Sequence, residues 1–242
     1  MQQRFTGRTD MLLLWPQGGA RSALTALLSD GNTVADYQPF NFTGTTNASA
    51  WLNSVTSGWG APAVIAGSLL QASGAAQPTI NADGSLTFDG IAQYMGTDAF
   101  TLNQPITYYL VLKQVAYTAG RVLLDGLVAA SVLIQQQATT PNIRLYAGIP
   151  AAENVNATVG TAHVISAVFS GASSSLRVDT TVATTGDAGA QNAGAMFVGR
   201  STSGVAYSNI QVWEIIARNV ADSAATQAQK IMAALKAIYG TP

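Results

Sequence analysis

Alternating polar and apolar residues along much of the chain predict β-strands. Residues 85–89 read Ser-Leu-Thr-Phe-Asp, and Asp83-Gly84 just before them is a hairpin-type turn signal. Residues 106–113 are almost continuously apolar, which is typical of a central strand covered on both faces. Further strand-like segments follow at short intervals: 121–126, 128–135, 143–146, 163–169, 175–178, 196–198 and 210–216. This rhythm favours an antiparallel β-sandwich over βαβ units.

The C-terminal segment changes to the helical period. Within residues 223–239 the apolar side chains form one stripe: Ala228, Ile231, Met232, Leu235, Ile238 and Tyr239. Asp222 or Ser223 can cap the start of this helix, and Gly240 follows its end. We therefore expect an all-β domain closed by one amphipathic C-terminal helix.

The first quarter of the chain differs from the rest in its pattern of residues. Residues 1–61 are broken by short glycine-containing stretches and are predicted to form an N-terminal arm or extension. Within this arm, residues 22–29 could form two helical turns and residues 40–42 an edge strand. Residues 62–242 are then expected to form one domain, because all-β sandwiches often reach this length as a single unit.

Composition and charge narrow the classes of partner. The chain holds 11 Lys and Arg against 12 Asp and Glu, a net charge of −1, and neither sign gathers into a run. This predicts no nucleic-acid partner and no membrane anchor. There is no cysteine, so we expect no disulfide. Charged residues make up only 10% of the chain, and a surface with so few charges favours assembly into a homo-oligomer.

An apolar run near the N-terminus bears on whether the chain carries a signal peptide. Residues 11–15 are apolar, but Pro16 and Gly18-Gly19 end the run well short of a signal-peptide core or a membrane span. We expect no signal peptide, so the protein would be made in a host cytoplasm and leave it by a route such as lysis.

Four groups of segments, in order along the chain, carry a resemblance to a known family. They are residues 85–95, residues 105–113 with 123–126, residues 163–171 with 176–179, and residues 197–200 with 210–216 and 230–240. Together they resemble the concanavalin A-like, laminin-G-like jelly-roll domains found in bacteriophage structural proteins. The resemblance implies an all-β antiparallel sandwich of the concanavalin A-like jelly-roll type, with the N-terminal arm and one C-terminal α-helix.

The same resemblance bears on calcium, which some relatives bind. Ala92-Gln93 stands where the family often carries paired aspartates, and Thr180 stands where a glycine is usual. Calcium requires several converging oxygen ligands. We therefore expect no cofactor and leave calcium open.

Candidate catalytic residues are few. Glycosidases use two carboxyl groups on either side of the scissile bond. Glu153 and Glu214 are the two glutamates of the chain, and Glu214 has no acidic residue at i±2. His163 is the single histidine and has no Gly-x-Ser-x-Gly motif to accompany it. We interpret all three as structural or surface residues and predict that the chain has no catalytic site.

Binding residues are easier to nominate, because sugars stack on aromatic rings while amides bind their hydroxyls. Trp51 and Trp59 are candidates, although packing of the arm onto the sandwich or onto a neighbouring subunit is the favoured explanation of both. The other candidate ligand-binding residues share loop-like surroundings: Tyr37, Asn53, Tyr117, Asn142 and Asn154.

These observations lead to a hypothesis of a non-enzymatic virion component. It would be a capsid decoration or a tail- or fibre-associated protein, assembling with other virion proteins or with itself, and it could also bind surface glycans. A free carbohydrate-binding module or lectin is the alternative. A glycan hydrolase or lyase of the same fold is a third reading.

Overall fold

The computed structural model describes residues 18–55, 66–128, 131–222 and 227–242. Two α-helices are present in these ranges, α1 (Gly18–Leu28) and α2 (Gln227–Tyr239). Sixteen strands follow one another between them: β1 Thr33–Thr43, β2 Ala50–Asn53, β3 Leu69–Leu70, β4 Thr79–Ile80, β5 Leu86–Asp89, β6 Met95–Gly96, β7 Ile106–Gln114, β8 Val122–Asp125, β9 Leu133–Gln136, β10 Ile143–Tyr146, β11 Pro150–Asn154, β12 Ala162–Phe169, β13 Ser174–Val178, β14 Thr184–Gly186, β15 Phe197–Val198 and β16 Asn209–Arg218. The prediction of an all-β chain with a C-terminal helix is confirmed.

The strands form one antiparallel sheet that curls on itself. Its order is β11-β10-β9-β8-β15-β6-β3-β2-β1-β16-β7-β12-β13-β14, and β4 and β5 branch from β16. The terminal strands of this order, β11 and β14, lie against each other, so the sheet is nearly closed and barrel-like. The expected jelly-roll sandwich is therefore confirmed only as an antiparallel all-β fold.

Strand β7 lies at the centre of the sheet, between β12 and β16. Tyr108 and Leu110 face the larger hydrophobic core, which the curled sheet encloses. Tyr109 and Val111 point to the opposite side and join a second core beneath the helices. Successive side chains of a strand point to opposite faces of the sheet. Because each face of β7 packs against a hydrophobic core, the prediction of a strand covered on both faces is confirmed.

The two helices cover the outer face of β7, β12 and β16. Helix α2 buries the predicted stripe of Ala228, Ile231, Met232, Leu235 and Ile238. Helix α1 contributes Leu24 and Leu28 to the same core. The helical turns expected at residues 22–29 are thus part of a longer helix. Neither described helix has the length and apolar character needed to cross a lipid bilayer.

The proposed arm contributes a strand to the sheet. Residues 40–42 belong to β1, an 11-residue strand that lies between β2 and β16. The domain boundary near residue 61 stays a prediction, and residues 1–17 and 56–65 lie outside the described ranges. The same is true of Ser223, whereas Asp222 is buried and forms an ion pair of 2.6 Å with Arg218.

The helical cover can be tested through Leu235, whose side chain is fully buried between α2 and the sheet. We expect Leu235→Ala to lower the free energy of unfolding by about 2–5 kcal/mol, because the truncation leaves a cavity. Urea unfolding followed by circular dichroism measures this loss. Lys230→Ala, on the exposed side of the same helix, is the matched control and should change stability by less than about 0.5 kcal/mol. Equal effects of the two substitutions would show that α2 does not pack as described.

Candidate functional site

Asp89, the last residue of β5, begins a tight turn at one end of the sheet. Its Oδ1 atom accepts backbone N–H bonds from Ile91 at 2.8 Å and from Ala92 and Gln93 at 3.0 Å. Partial burial opposes ionisation, but these three N–H groups lower the pKa of Asp89 below its usual value. The carboxylate is therefore fixed in place and ionised at neutral pH.

Gly90 allows this turn to approach the neighbouring strand. Its φ is +75°, and a Cβ atom there would lie 3.0 Å from the backbone nitrogen of Asn209. Asn209 begins β16 and is the cross-strand partner of Asp89. A side chain at position 90 would therefore be strained by its backbone and would push the two strands apart.

A cleft of about 170 Å³ opens beside Asp89. Its wall is mostly polar and is formed by Asp89, Gly90, Ala116, Thr118, Arg121, Gln136, Tyr207 and Asn209. Gln136 is fully buried and is held by Gln114 through a 2.8 Å side-chain hydrogen bond. This part of the wall is therefore rigid.

Several groups in the cleft have no hydrogen-bond partner among the described residues. They are the second carboxylate oxygen of Asp89, the guanidinium of Arg121, the hydroxyl of Tyr207 and the side-chain amide of Asn209. All four residues are partly exposed. The cleft thus offers both donors and acceptors to a polar ligand.

An aromatic platform borders the cleft. Tyr207 meets Tyr94 edge to face with ring centroids 6.3 Å apart. The guanidinium of Arg200 lies 3.3 Å from the centre of the Tyr94 ring and 5.7 Å from that of Phe197. Of these rings, Tyr207 lines the cleft, and one face of Tyr94 is covered by Arg200. An aromatic ring next to polar groups suits a sugar, which stacks its apolar face while its hydroxyls are bound at the edge.

The predicted binding residues of the N-terminal third lie inside the fold. Tyr37 and Trp51 are fully buried, with ring centroids 5.9 Å apart. The Trp51 Nε1 atom donates to the Gln38 carbonyl at 2.8 Å, and Asn53 bonds the backbone of neighbouring segments. Trp59 lies outside the described residues. The packing interpretation therefore fits Trp51, and ligand binding by this group stays a prediction.

The remaining predicted residues stabilise loops. The Tyr117 hydroxyl lies 2.8 Å from the carbonyl oxygen of Asn142 and 2.5 Å from that of Gln137. Asn154 is buried, and its Oδ1 atom accepts the backbone N–H of Asn156 at 2.9 Å. None of these residues lines the cleft beside Asp89. Their role in ligand binding also stays a prediction.

Glu214 is the centre of a buried charge cluster between the sheet and the helices. Arg21 of α1 binds both of its carboxylate oxygens at 2.7 Å, and the Tyr239 hydroxyl of α2 donates to one of them. Asp36 of β1 lies on the same face of the sheet, since its cross-strand partner is Ile216. Two carboxyl groups therefore meet here, but both are 1% exposed and no glycan can reach them.

Asp36 is the carboxyl group of this pair whose ionisation is disfavoured. Burial, together with the neighbouring Glu214 carboxylate, raises the pKa of Asp36 well above its usual value. The Gln38 side-chain amide donates to Oδ2 of Asp36 at 2.6 Å, while Oδ1 has no hydrogen-bond partner among the described residues. The sequence alone does not reveal this pair, because residues 36 and 214 are close only through strand pairing.

The remaining candidate sites are Glu153 and a metal site. Glu153 is exposed, and its carboxylate accepts a hydrogen bond of 2.5 Å from Gln137. Within the described ranges, no group of three or more His, Cys, Asp or Glu side chains is placed to hold a metal ion. Calcium binding is left as an untested prediction.

Comparison with known proteins finds similarity in structure alone. No protein-family model and no curated protein matches the sequence. A solved structure of Trypanosoma rangeli sialidase with sialic acid matches 96% of this chain and 40% of its own, with a TM-score of 0.60 and 13% identity. An arabinofuranosidase in complex with arabinofuranosyl-alpha-1,2-xylobiose matches 89% of this chain and 65% of its own, with a TM-score of 0.61 and 10% identity. The likeness is one of fold.

A third solved structure is similar to this chain in the same way. A mutant of the Trypanosoma rangeli sialidase displaying trans-sialidase activity covers 95% of this chain and 40% of its own, with a TM-score of 0.59 and 12% identity. This chain therefore spans about two fifths of the sialidases and just under two thirds of the arabinofuranosidase.

These comparisons correct the functional prediction. The similar solved structures described above are of a sialidase and an arabinofuranosidase, and none of them is a virion component. The hypothesis of a non-enzymatic bacteriophage structural protein is wrong. It rested on the absence of a catalytic carboxyl pair, the low charge, the lack of cysteine and the N-terminal arm, and none of these features shows which groups meet through tertiary pairing.

The raised pKa of Asp36 predicts an unusual dependence of stability on pH. The unfolded carboxyl ionises near pH 4, while the folded one keeps its proton to higher pH. The free energy of unfolding therefore falls as pH rises above about 4, by up to about 1.4 kcal/mol per unit, until the folded carboxyl ionises. Asp36→Asn keeps the shape without the titration and should flatten this decline in urea unfolding between about pH 4 and about pH 8.

The control for this experiment is Asp98→Asn, which changes an exposed carboxyl far from the cluster in sequence. It should keep the slope of the parent protein. If Asp36→Asn also keeps that slope, Asp36 is ionised in the folded state and its pKa is not raised.

Proposed function

We propose that this chain is a carbohydrate-active domain of the glycoside hydrolase kind, which holds a glycan in the cleft beside Asp89. The observation that carries the proposal is the cleft itself: an ionised carboxylate and unsatisfied polar groups next to the Tyr94 and Tyr207 platform. The likeness in fold to sialidase and arabinofuranosidase supports it.

Asp89 can supply one of the two carboxyl groups that glycosidases use, and it is the one carboxyl residue among those that line the cleft. The transition state of glycoside hydrolysis develops positive charge at the anomeric carbon, and an ionised carboxylate stabilises that charge. Its backbone N–H bonds fix Asp89 before the substrate arrives, so no reorganisation is needed. Arg121 and Asn209 would orient sugar hydroxyls or an acidic substituent.

The finer architecture is part of the same proposal. We infer that the curled sheet is a version of the concanavalin A-like jelly roll, in which the enclosed core separates two layers of strands. The chemistry above uses side chains of the protein only, so the proposed activity requires no cofactor. Glycans are the proposed partners.

Hydrolysis can be measured with fluorogenic glycosides of sialic acid and arabinofuranose, the sugars after which the similar enzymes are named. We expect the protein to release the fluorophore from at least one of them. Asp89→Asn preserves an oxygen that accepts the three N–H bonds but removes the charge, so kcat should fall on the order of 10²–10³-fold. Asp98→Asn is the matched control and should leave the rate unchanged.

Binding is the second measurement. Tyr207→Ala removes the aromatic ring that lines the cleft, and the loss of its buried area and ring contact should cost about 1.5 kcal/mol or more of binding free energy. Affinity for a glycan identified on an array should therefore fall by about tenfold or more. The proposal is overturned if the parent protein neither cleaves nor binds any glycan, or if Asp89→Asn cleaves as fast as the parent.

A further inference from the structure

A second cluster of reactive side chains lies on the loop that precedes β12. The Thr158 hydroxyl is 2.9 Å from Nε2 of His163, and Nδ1 of the same ring is 2.6 Å from Oδ2 of Asp179. Thr158 is exposed, whereas His163 is 5% exposed and Asp179 is largely buried. A hydroxyl, an imidazole and a carboxylate therefore form one continuous hydrogen-bonded chain that ends at the surface.

The chemistry of these groups fixes the direction of the hydrogen bonds. An ionised carboxylate only accepts, so Nδ1 of His163 carries the proton that binds Asp179. Nε2 is then an acceptor in the neutral imidazole, and the Thr158 hydroxyl donates to it. This is the arrangement in which an imidazole acts as general base toward a hydroxyl nucleophile, and it is recognised by geometry and not by position in the sequence.

Asp179 is held in a strained position. Its second carboxylate oxygen accepts the backbone N–H of Val164 at 2.9 Å, and its own N–H donates to the Val164 carbonyl at 2.8 Å. Its φ is +50°, a left-handed conformation that is uncommon outside glycine. Strain of this kind persists where surrounding bonds impose it, and it is frequent at functional sites.

The residue after Thr158 offers a group for the developing oxyanion. The backbone N–H of Val159 has no hydrogen-bond partner among the described residues, whereas those of Thr158 and Gly160 are bonded to Asn156 and Gln114. In hydrolases with a serine nucleophile, the N–H of the residue that follows the nucleophile commonly donates to the oxyanion.

From this juxtaposition we propose that Thr158, His163 and Asp179 form an esterase site that cleaves small, accessible carboxylic esters. Thr158 Oγ1 bonds to the acyl carbon while its proton passes to Nε2 of His163. The bond from that carbon to the alcohol oxygen breaks, and His163 returns the proton to the departing alcohol. Water then attacks the acyl-threonine, giving its proton to His163, which passes it to Thr158 as the carboxylic acid leaves.

The probe for this site is p-nitrophenyl acetate, with the full chain as the enzyme. We expect a burst of p-nitrophenolate, followed by steady turnover, and peptide mass spectrometry during turnover should find one acetyl group on Thr158. A structural role of the cluster would produce neither the burst nor this adduct. Acetylation confined to lysines, or no acetylation at all, would overturn the proposal.

Variants separate the roles of the three residues. Thr158→Val keeps the shape of the side chain and should reduce hydrolysis to the buffer rate, while Thr158→Ser should keep the burst. His163→Gln should lower the rate roughly 10²–10⁴-fold, as expected for loss of a general base. If Thr158→Val remains folded by circular dichroism and hydrolyses the ester as the parent does, Thr158 is not the nucleophile and the proposal fails.

The control for the variants is Thr101→Val, another exposed threonine, which has no histidine contact among the described residues. It should leave both the burst and the adduct unchanged. Should Thr158→Val fail to fold, the adduct on the parent protein and the burst of Thr158→Ser still decide the question.

Discussion

The whole structure depends on one constraint: the central strand β7 is apolar on both faces and must be covered on both. The curl of the sheet covers one face, with Tyr108 and Leu110 in the enclosed core. Nothing in the sheet can cover the other face, where Tyr109 and Val111 project outward. Helices α1 and α2, from opposite ends of the chain, are therefore brought together over β7, and the two termini of the described fold meet on the same surface.

The helices that cover β7 enclose the charge cluster around Glu214. The fold tolerates this cluster because its charges are balanced. A buried ion pair is stable only when its geometry is good and its remaining groups are hydrogen-bonded. Glu214 meets both conditions through Arg21 and Tyr239, and Asp36 adds no second negative charge while it holds a proton. Glycosidases use two carboxyl groups, yet here one of the pair, Glu214, joins both helices to the sheet. Access from solvent decides between the two roles.

The sequence predicted those elements whose hydrophobic pattern can be recognised within a single segment. The alternation in residues 85–89, the apolar run of β7 and the stripe of α2 each repeat over several residues, and the structure has a strand or helix at each. Strands of two residues, such as β3 and β6, have no pattern of their own and exist only because neighbours pair with them. The cleft was missed for the same reason: Asp89 belonged to a recognised turn, but Arg121 and Asn209 join it only through tertiary pairing.

Both proposed sites lie at the same end of β7, and one buried residue links them. Gln114, the last residue of that strand, accepts a hydrogen bond from Gln136 in the wall of the Asp89 cleft, and its amide donates to the Ala157 carbonyl, next to Thr158. Gln114 is fully buried, so an unpaired amide there would be costly. The two loops are thus fastened to one rigid strand end, which is where loops that carry function are expected on a stable sheet. A change that released the Gln114 side chain would remove one buried hydrogen bond from each of the two loops, because its amide group bonds Gln136 on one side and the Ala157 carbonyl on the other.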